Sequence, residues 1–154
     1  MSVSQWVPLV AIMAFSAGNA NANRAILPGS AADTLLKQCS RGVPPRGQSS
    51  WQPSMADISR LEKALPAALA RSPQARELNV PRVLQSWRRQ YVGIVRGGKR
   101  FVYGNFFPVH DPGEQPGWRS RPVIVCDGGP VFFGVEMEVA TGRITHLAFN
   151  GPFG

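Results

Sequence analysis

The sequence predicts an α+β fold in which an N-terminal amphipathic helix packs on an antiparallel sheet of about four to five strands. Three observations lead there: helical periodicity that opens at Ser54, a switch to aromatic and β-branched runs after Trp87, and Gly- or Pro-bearing turns that separate those runs at short intervals. The length of 154 residues suits one domain, and 44% hydrophobic against 17% charged residues supplies one core and excludes a disordered chain. No internal repeat and no apolar run of membrane-spanning length is present.

Residues 1–22 read as a signal peptide. Trp6 to Ala17 is an uncharged apolar run of 12 residues, and Ala20-Asn21-Ala22 places small side chains where a signal peptidase reads them. Cleavage after Ala22 would leave a mature chain of 132 residues with no membrane span, in the periplasm or secreted. The n-region MSVSQ has no Lys or Arg, so the terminal amine is its positive charge. Cys39 and Cys126 are the only cysteines, and an oxidising compartment would let them pair. In the chain-entropy model that bridge stabilises by roughly 3 to 5 kcal/mol.

Residues 23–53 read as an extended N-terminal segment, with one possible helical turn around Ala31 to Gln38 and then the Pro-, Gly- and Ser-rich stretch from Cys39. The single α+β domain then occupies 54–154. Ser54 with Asp57 three residues on forms a capping pair, and Met55, Ile58, Leu61 and Leu65 recur at helical spacing. Pro66 is expected to kink this helix or to open a second short one. Arg88–Val95 and Arg100–Phe107 read as strands joined at Gly97-Gly98, a two-residue hairpin turn. A Pro- and Gly-rich loop from Pro108 to Arg119 leads to a third strand, Pro122–Cys126. Val131–Val139 and Ile144–Phe149 complete the sheet.

The last hairpin can be registered from its own alternation. A three-residue loop with Gly142 in the left-handed position sets Val135 opposite Leu147, Phe133 opposite Phe149 and Met137 opposite Thr145 as the core side. Phe132, Gly134, Glu136 and Glu138 then share the other, open side, with His146 across from Glu136. A carboxylate beside His raises the imidazole pKa, so Glu136, His146 and Glu138 are the candidate catalytic trio of a hydrolase-like enzyme. The same pattern is the ordinary ion pair of a solvated sheet face, which is the reading favoured here.

No nucleophile elbow, zinc-protease helix, phosphate loop or paired Cys-x-x-Cys occurs, so neither a cofactor nor a metal is implied. The charge of +8, with 14 of 17 cations Arg, reads either as an Arg-biased soluble surface or as the mark of an anionic partner. Arg96, Lys99 and Arg100 crowd the Gly97-Gly98 turn, and Trp87, Tyr91, Tyr103 and Phe106 interleave with the basic positions. Such a hairpin has the look of a nucleic-acid surface, but export argues against that partner and for an envelope polyanion or an extracellular protein. His110, Asp111, Trp118 and Arg119 are the candidate contacts in the long loop.

Pro122-Val-Ile-Val-Cys-Asp-Gly-Gly-Pro-Val-Phe-Phe-Gly-Val-Glu136 and Leu147-Ala-Phe-Asn-Gly151, with Tyr91-Val-Gly-Ile and Tyr103-Gly-Asn-Phe-Phe107, resemble small exported bacterial proteins of uncharacterised function. The helix-then-sheet order is similar to that of cystatin-like domains. The likeness spans the C-terminal half and is one of layout, so no functional residue is carried over from it. The function expected is an exported, disulfide-bonded binding or inhibitor-type module without catalysis.

Overall fold

The structure, a computed structural model, describes residues 21–109 and 116–152. The apolar run Trp6–Ala17 and the loop residues His110 and Asp111 lie outside them. The described chain is α+β, with three α-helices and a six-stranded, mostly antiparallel sheet. The strands are β1 (Arg24–Ile26), β2 (Ser49–Trp51), β3 (Arg88–Arg96), β4 (Lys99–Phe107), β5 (Phe133–Glu138) and β6 (Arg143–Phe149). The helices are α1 (Ala32–Leu35), α2 (Met55–Ala70) and α3 (Val80–Ser86).

The β3–β4 hairpin is the spine of the sheet. Gly97 and Gly98 both take positive φ, 56° and 73°, which two-residue hairpin turns require, and all nine residues of each strand pair in register from Arg96↔Lys99 to Arg88↔Phe107. Along the far edge of β3, β1 pairs in parallel with Arg89–Tyr91 and β2 antiparallel with Gly93–Val95. The segment expected to be an extended connector therefore contributes two strands, a 3-10 turn at Gly29–Ala31 and a helix, all ahead of the capped helix. At three residues each, β1 and β2 are too short to show alternation; they form because β3 offers a nine-residue edge.

Pro122–Cys126, expected as a strand, is not one. It crosses a face of the sheet, and side-chain amides stand in for a neighbouring strand: Val123 N donates to Gln90 Oε1 (2.8 Å), and Asn105 Nδ2 donates to the Val123 carbonyl (3.0 Å). In the last hairpin, Phe133↔Phe149, Val135↔Leu147 and Glu136↔His146 pair as the alternation predicts, and Gly142 is left-handed. A bulge then shifts the register, so Met137 pairs with Ile144 and Thr145 leaves the core side. Its hydroxyl turns to Glu136, donating to Oε1 at 2.7 Å.

One face of the sheet carries α2. Ser54 caps it with both halves of a capping box: Asp57 N donates to Ser54 Oγ, and Ser54 N donates to Asp57 Oδ2. Ile58, Leu61, Leu65 and Leu69 are buried against Tyr91, Val102, Phe106, Phe133, Val135 and Met137, each such side chain contributing about 1.5–3 kcal/mol. Met55, at the head of the stripe, is exposed. Pro66 does not end the helix; it sits on the exposed side, leaving the Glu62 carbonyl without its usual donor.

The other face is covered as well. Leu27, Ala31, Ala32, Leu35 and Leu36 pack on Val92, Ile94, Phe101 and Tyr103, while Trp118 and Val123 pack with Phe107 and Phe132. Cys39 and Cys126 form a disulfide across this layer, their Cα atoms 5.2 Å apart and their positions separated by 87 residues. Both lie in irregular segments, so the bond joins two loops and does not end on a strand.

Candidate functional site

The side of the sheet expected to be open holds the predicted trio, and it is shut. Glu136 is 1% and Glu138 4% exposed: Arg96, itself bonded to the Pro45 carbonyl, pairs with the first, and Lys99 and Arg143 flank the second. Arg96 reaches over the Phe101 ring, its guanidinium carbon 4.1 Å from the centroid, and grips Glu136 with two bonds of 2.8 and 3.1 Å. Both Glu136 oxygens are thereby occupied, and Oε1 accepts from the Thr145 hydroxyl as well. His146 lies opposite Glu136 in register, yet its Nε2 is 3.0 Å from the Gly42 carbonyl, which fits Nε2–H as donor. Cross-strand register placed the pair on one face; partner competition decided the contacts.

The turn cations Arg96, Lys99 and Arg100 are brought together with two that sequence reasoning missed. Lys99 Nζ lies 3.0 Å and Arg143 Nη2 4.0 Å from the two oxygens of Glu138, so one buried carboxylate serves two cations. Arg100 stacks over the Trp51 ring at 5.2 Å, and Trp51 is fixed in turn by an Nε1 bond to the Phe101 carbonyl. The β5–β6 turn lies beside this group, since Val139 N donates to the Arg100 carbonyl. Arg60 of α2 adjoins the same turn: a Cβ on Gly142 would stand 3.3 Å from its Nη2.

The loop candidates divide. Trp118 is 8% exposed and stands edge-on to Phe107, so it is core and not the free contact expected of it. The Pro- and Gly-rich chain folds back here because Arg88 and Arg119 cover the indole, at 5.4 and 4.5 Å, and the Trp118 carbonyl accepts from Gln90. Arg119 is exposed, and its guanidinium donates to the carbonyls of Ala22 and Arg24 at the start of β1.

Two buried polar groups went unread. Glu62, on α2, accepts from Arg24 Nε (2.9 Å), Arg89 Nη1 (3.0 Å) and the Tyr91 hydroxyl (2.6 Å), while Arg24 Nη2 closes on its other oxygen. The hydrogen bond to Glu62 pushes the Arg24 guanidinium further up, and burial, aided by Glu62, holds the Tyr91 phenol well above its ordinary value. A signal existed: Glu62 occupies the i+4 position from Ile58, a charge inside the apolar stripe. Arg41 is the second. It donates to Asn150 Oδ1 (2.7 Å), Asn105 Oδ1 (2.5 Å) and the Tyr103 hydroxyl (3.3 Å) on the other face, and nothing in the RGVPPRG string marks it for burial.

At the opposite end of the sheet a cleft of about 370 Å³ is floored by Leu78, Trp87 and Val131 and rimmed by Glu77 and Arg82. Among the described residues no group of three or more His, Cys, Asp or Glu is placed to hold a metal, and no helix is long and apolar enough to cross a membrane. Compared with family models, with curated proteins and with solved structures, the chain matches none.

Proposed function

We propose that the chain is an exported, disulfide-bonded binding module that engages an envelope or extracellular partner and performs no chemistry of its own. The Cys39–Cys126 bond carries this reading, because a bond between two solvent-exposed cysteines persists in an oxidising compartment and is reduced in the cytosol. The position of β1 supports it. That strand starts at Arg24, two residues past the Ala22 processing site, so a chain cut there keeps every described strand. A sheet covered on both faces and cross-linked between loops loses little freedom on docking, which suits a binder.

The test is intact mass. Expressed with its own leader in a bacterial host, the protein of the periplasmic fraction is expected to begin at Asn23 and to take up alkylating reagent only after reduction. A full-length mass with two free thiols overturns the reading. The same mature, oxidised protein is then expected to sediment with washed cell envelopes, and its retention in the supernatant at low salt would count against a binding role there.

A further inference from the structure

We infer that the end of the sheet bearing the two hairpin turns is the contact surface of this module and that it takes a linear polyanion other than a nucleic acid, an envelope or extracellular polymer with repeated sulfate, carboxylate or phosphate groups; the inference rests on the binding reading above. Arg60, Arg96, Lys99, Arg100 and Arg143 gather there around the turns at Gly97-Gly98 and Val139–Gly142. The carboxylates that pair with them, Glu136 and Glu138, are buried beneath the cations, and Asp57 of α2 is engaged in capping its own helix. The outward field is therefore positive, with the compensating charge set behind it.

The cations differ in what they have left to offer. Arg96 is spent, bidentate on Glu136 and bonded to the Pro45 carbonyl at 2.8 Å. Lys99 and Arg143 share one carboxylate and expose 60% and 74% of their side chains. Arg100 lies over the Trp51 ring with its guanidinium carbon 5.2 Å from the centroid, so part of its freedom is already given up before a partner arrives. Arg60, on the exposed side of α2, extends the row past Gly142. At the opposite end Arg88, Arg119 and Arg121 are committed to the fold: Arg119 and Arg121 bond backbone carbonyls, and Arg88 and Arg119 cover Trp118. A row of separated, exposed cations suits repeated anions along a chain better than one small anion, which would need convergent donors in a pocket.

The probe is a heparin oligosaccharide, with inorganic polyphosphate as a second arm to separate sulfated glycan from phosphate polymer, titrated against the mature oxidised protein at low salt. Arg100→Glu/Arg143→Glu is expected to lose about tenfold or more in affinity and to flatten the salt dependence, since fewer counterions are released. Arg71→Glu/Arg76→Glu, an equal change of net charge at the C-terminal end of α2 and just beyond it, is expected to lose little. Equal losses in both variants would mean that net charge alone binds, and would overturn the assignment of the surface. Tighter binding of a single-stranded DNA of matched charge would overturn the polymer class. A parent protein that sediments with envelopes but binds neither probe defeats this inference and leaves the binding reading standing; one that does neither defeats both. Arg143→Glu alone keeps the test open should the double variant melt early, because that side chain lies in solvent.

Discussion

On the face of the sheet that carries α2, one helix supplies a regular apolar stripe, and a single carboxylate, Glu62, collects two arginines and a phenol beneath it. On the other face the cover is a string of short, irregular pieces, and the buried cation Arg41 meets only neutral acceptors. The first face is held by periodic packing around a compensated charge. The second depends on side-chain amides, on the Ser40 carbonyl accepting from Gly151 N, and on the disulfide beside it. The short pieces of this cover have no long helix ladder of their own to hold them, so the cross-link matters more on that side.

Removing the cross-link should separate the faces most. Closing a loop of 87 residues is worth about 4–5 kcal/mol in the chain-entropy model, and Cys39→Ser/Cys126→Ser should lose an amount of that order in denaturant unfolding. Amide exchange should quicken first at Leu35, Leu36 and Val123, with α2 and the β3–β4 hairpin retaining protection. Simultaneous loss of protection on both faces would show that the cover of the second face is not a separate unit.

The next contrast is between the two buried charges. Glu62→Ala takes from the buried Arg89 and the half-buried Arg24 the carboxylate that both bond, and is expected to cost about 3–5 kcal/mol. Arg41→Met removes a cation that has no carboxylate partner among the described residues, and Asn150 keeps the bonds it donates to the carbonyls of Val125 and Asp127. That change is expected to cost about 1–3 kcal/mol, the scale of hydrogen bonds lost from a charged donor. A larger loss from Arg41→Met than from Glu62→Ala would invert the comparison.

Two glycines repeat the pattern on a smaller scale. A Cβ on Gly104 would meet Phe106 at 2.8 Å and Tyr91 at 3.0 Å on the helix face, and a Cβ on Gly134 would meet the Tyr103 hydroxyl at 2.2 Å on the other. Each glycine makes room for a tyrosine ring that lies across its strand. Gly104→Ala and Gly134→Ala should each cost about 1–3 kcal/mol, with Gly134→Ala the milder if the looser cover lets Tyr103 shift. Thermal unfolding of the two variants side by side would decide it.

The same difference explains how much could be read in the residues. The Ser54 cap, the α2 stripe, the Gly97-Gly98 turn and the pairing of β5 with β6 as far as Glu136↔His146 all follow local rules, and the structure has them where the rules put them. What local rules do not carry is the partner. β1 and β2 exist because β3 has a free edge, and Pro122–Cys126 lies flat because Gln90 and Asn105 offer amides from beneath. The bulge at Thr145 forms where that hydroxyl can bond to Glu136. The candidate trio failed as an open site for the same reason: alternation puts Glu136, Glu138 and His146 on one side, but whether that side meets water depends on a segment 90 or more positions away in sequence. Arg96, Lys99 and Arg100 were legible as a cluster; Arg60 and Arg143 join them only through the antiparallel return of β6 beside α2.

The two tyrosines, Tyr91 on the helix face and Tyr103 on the other, report on the two environments within one titration. Burial raises both phenols above the ordinary value of 10.0, but Glu62 raises Tyr91 further whereas Arg41 holds Tyr103 back. Above about pH 10 the unfolded chain therefore releases phenolic protons that the folded chain keeps. The folded state then binds more protons than the unfolded one, so stability falls as pH rises through that range. An absorbance titration of the native protein should show no phenolate near pH 10 and then ionisation of Tyr103 before Tyr91. Tyr103→Phe should remove the earlier step, and it should also relieve part of the alkaline loss of stability. Arg41→Met should delay the Tyr103 step, because the cation that favours its phenolate is gone. Coincident ionisation of both rings at the ordinary value would mean that neither face excludes water as these contacts require.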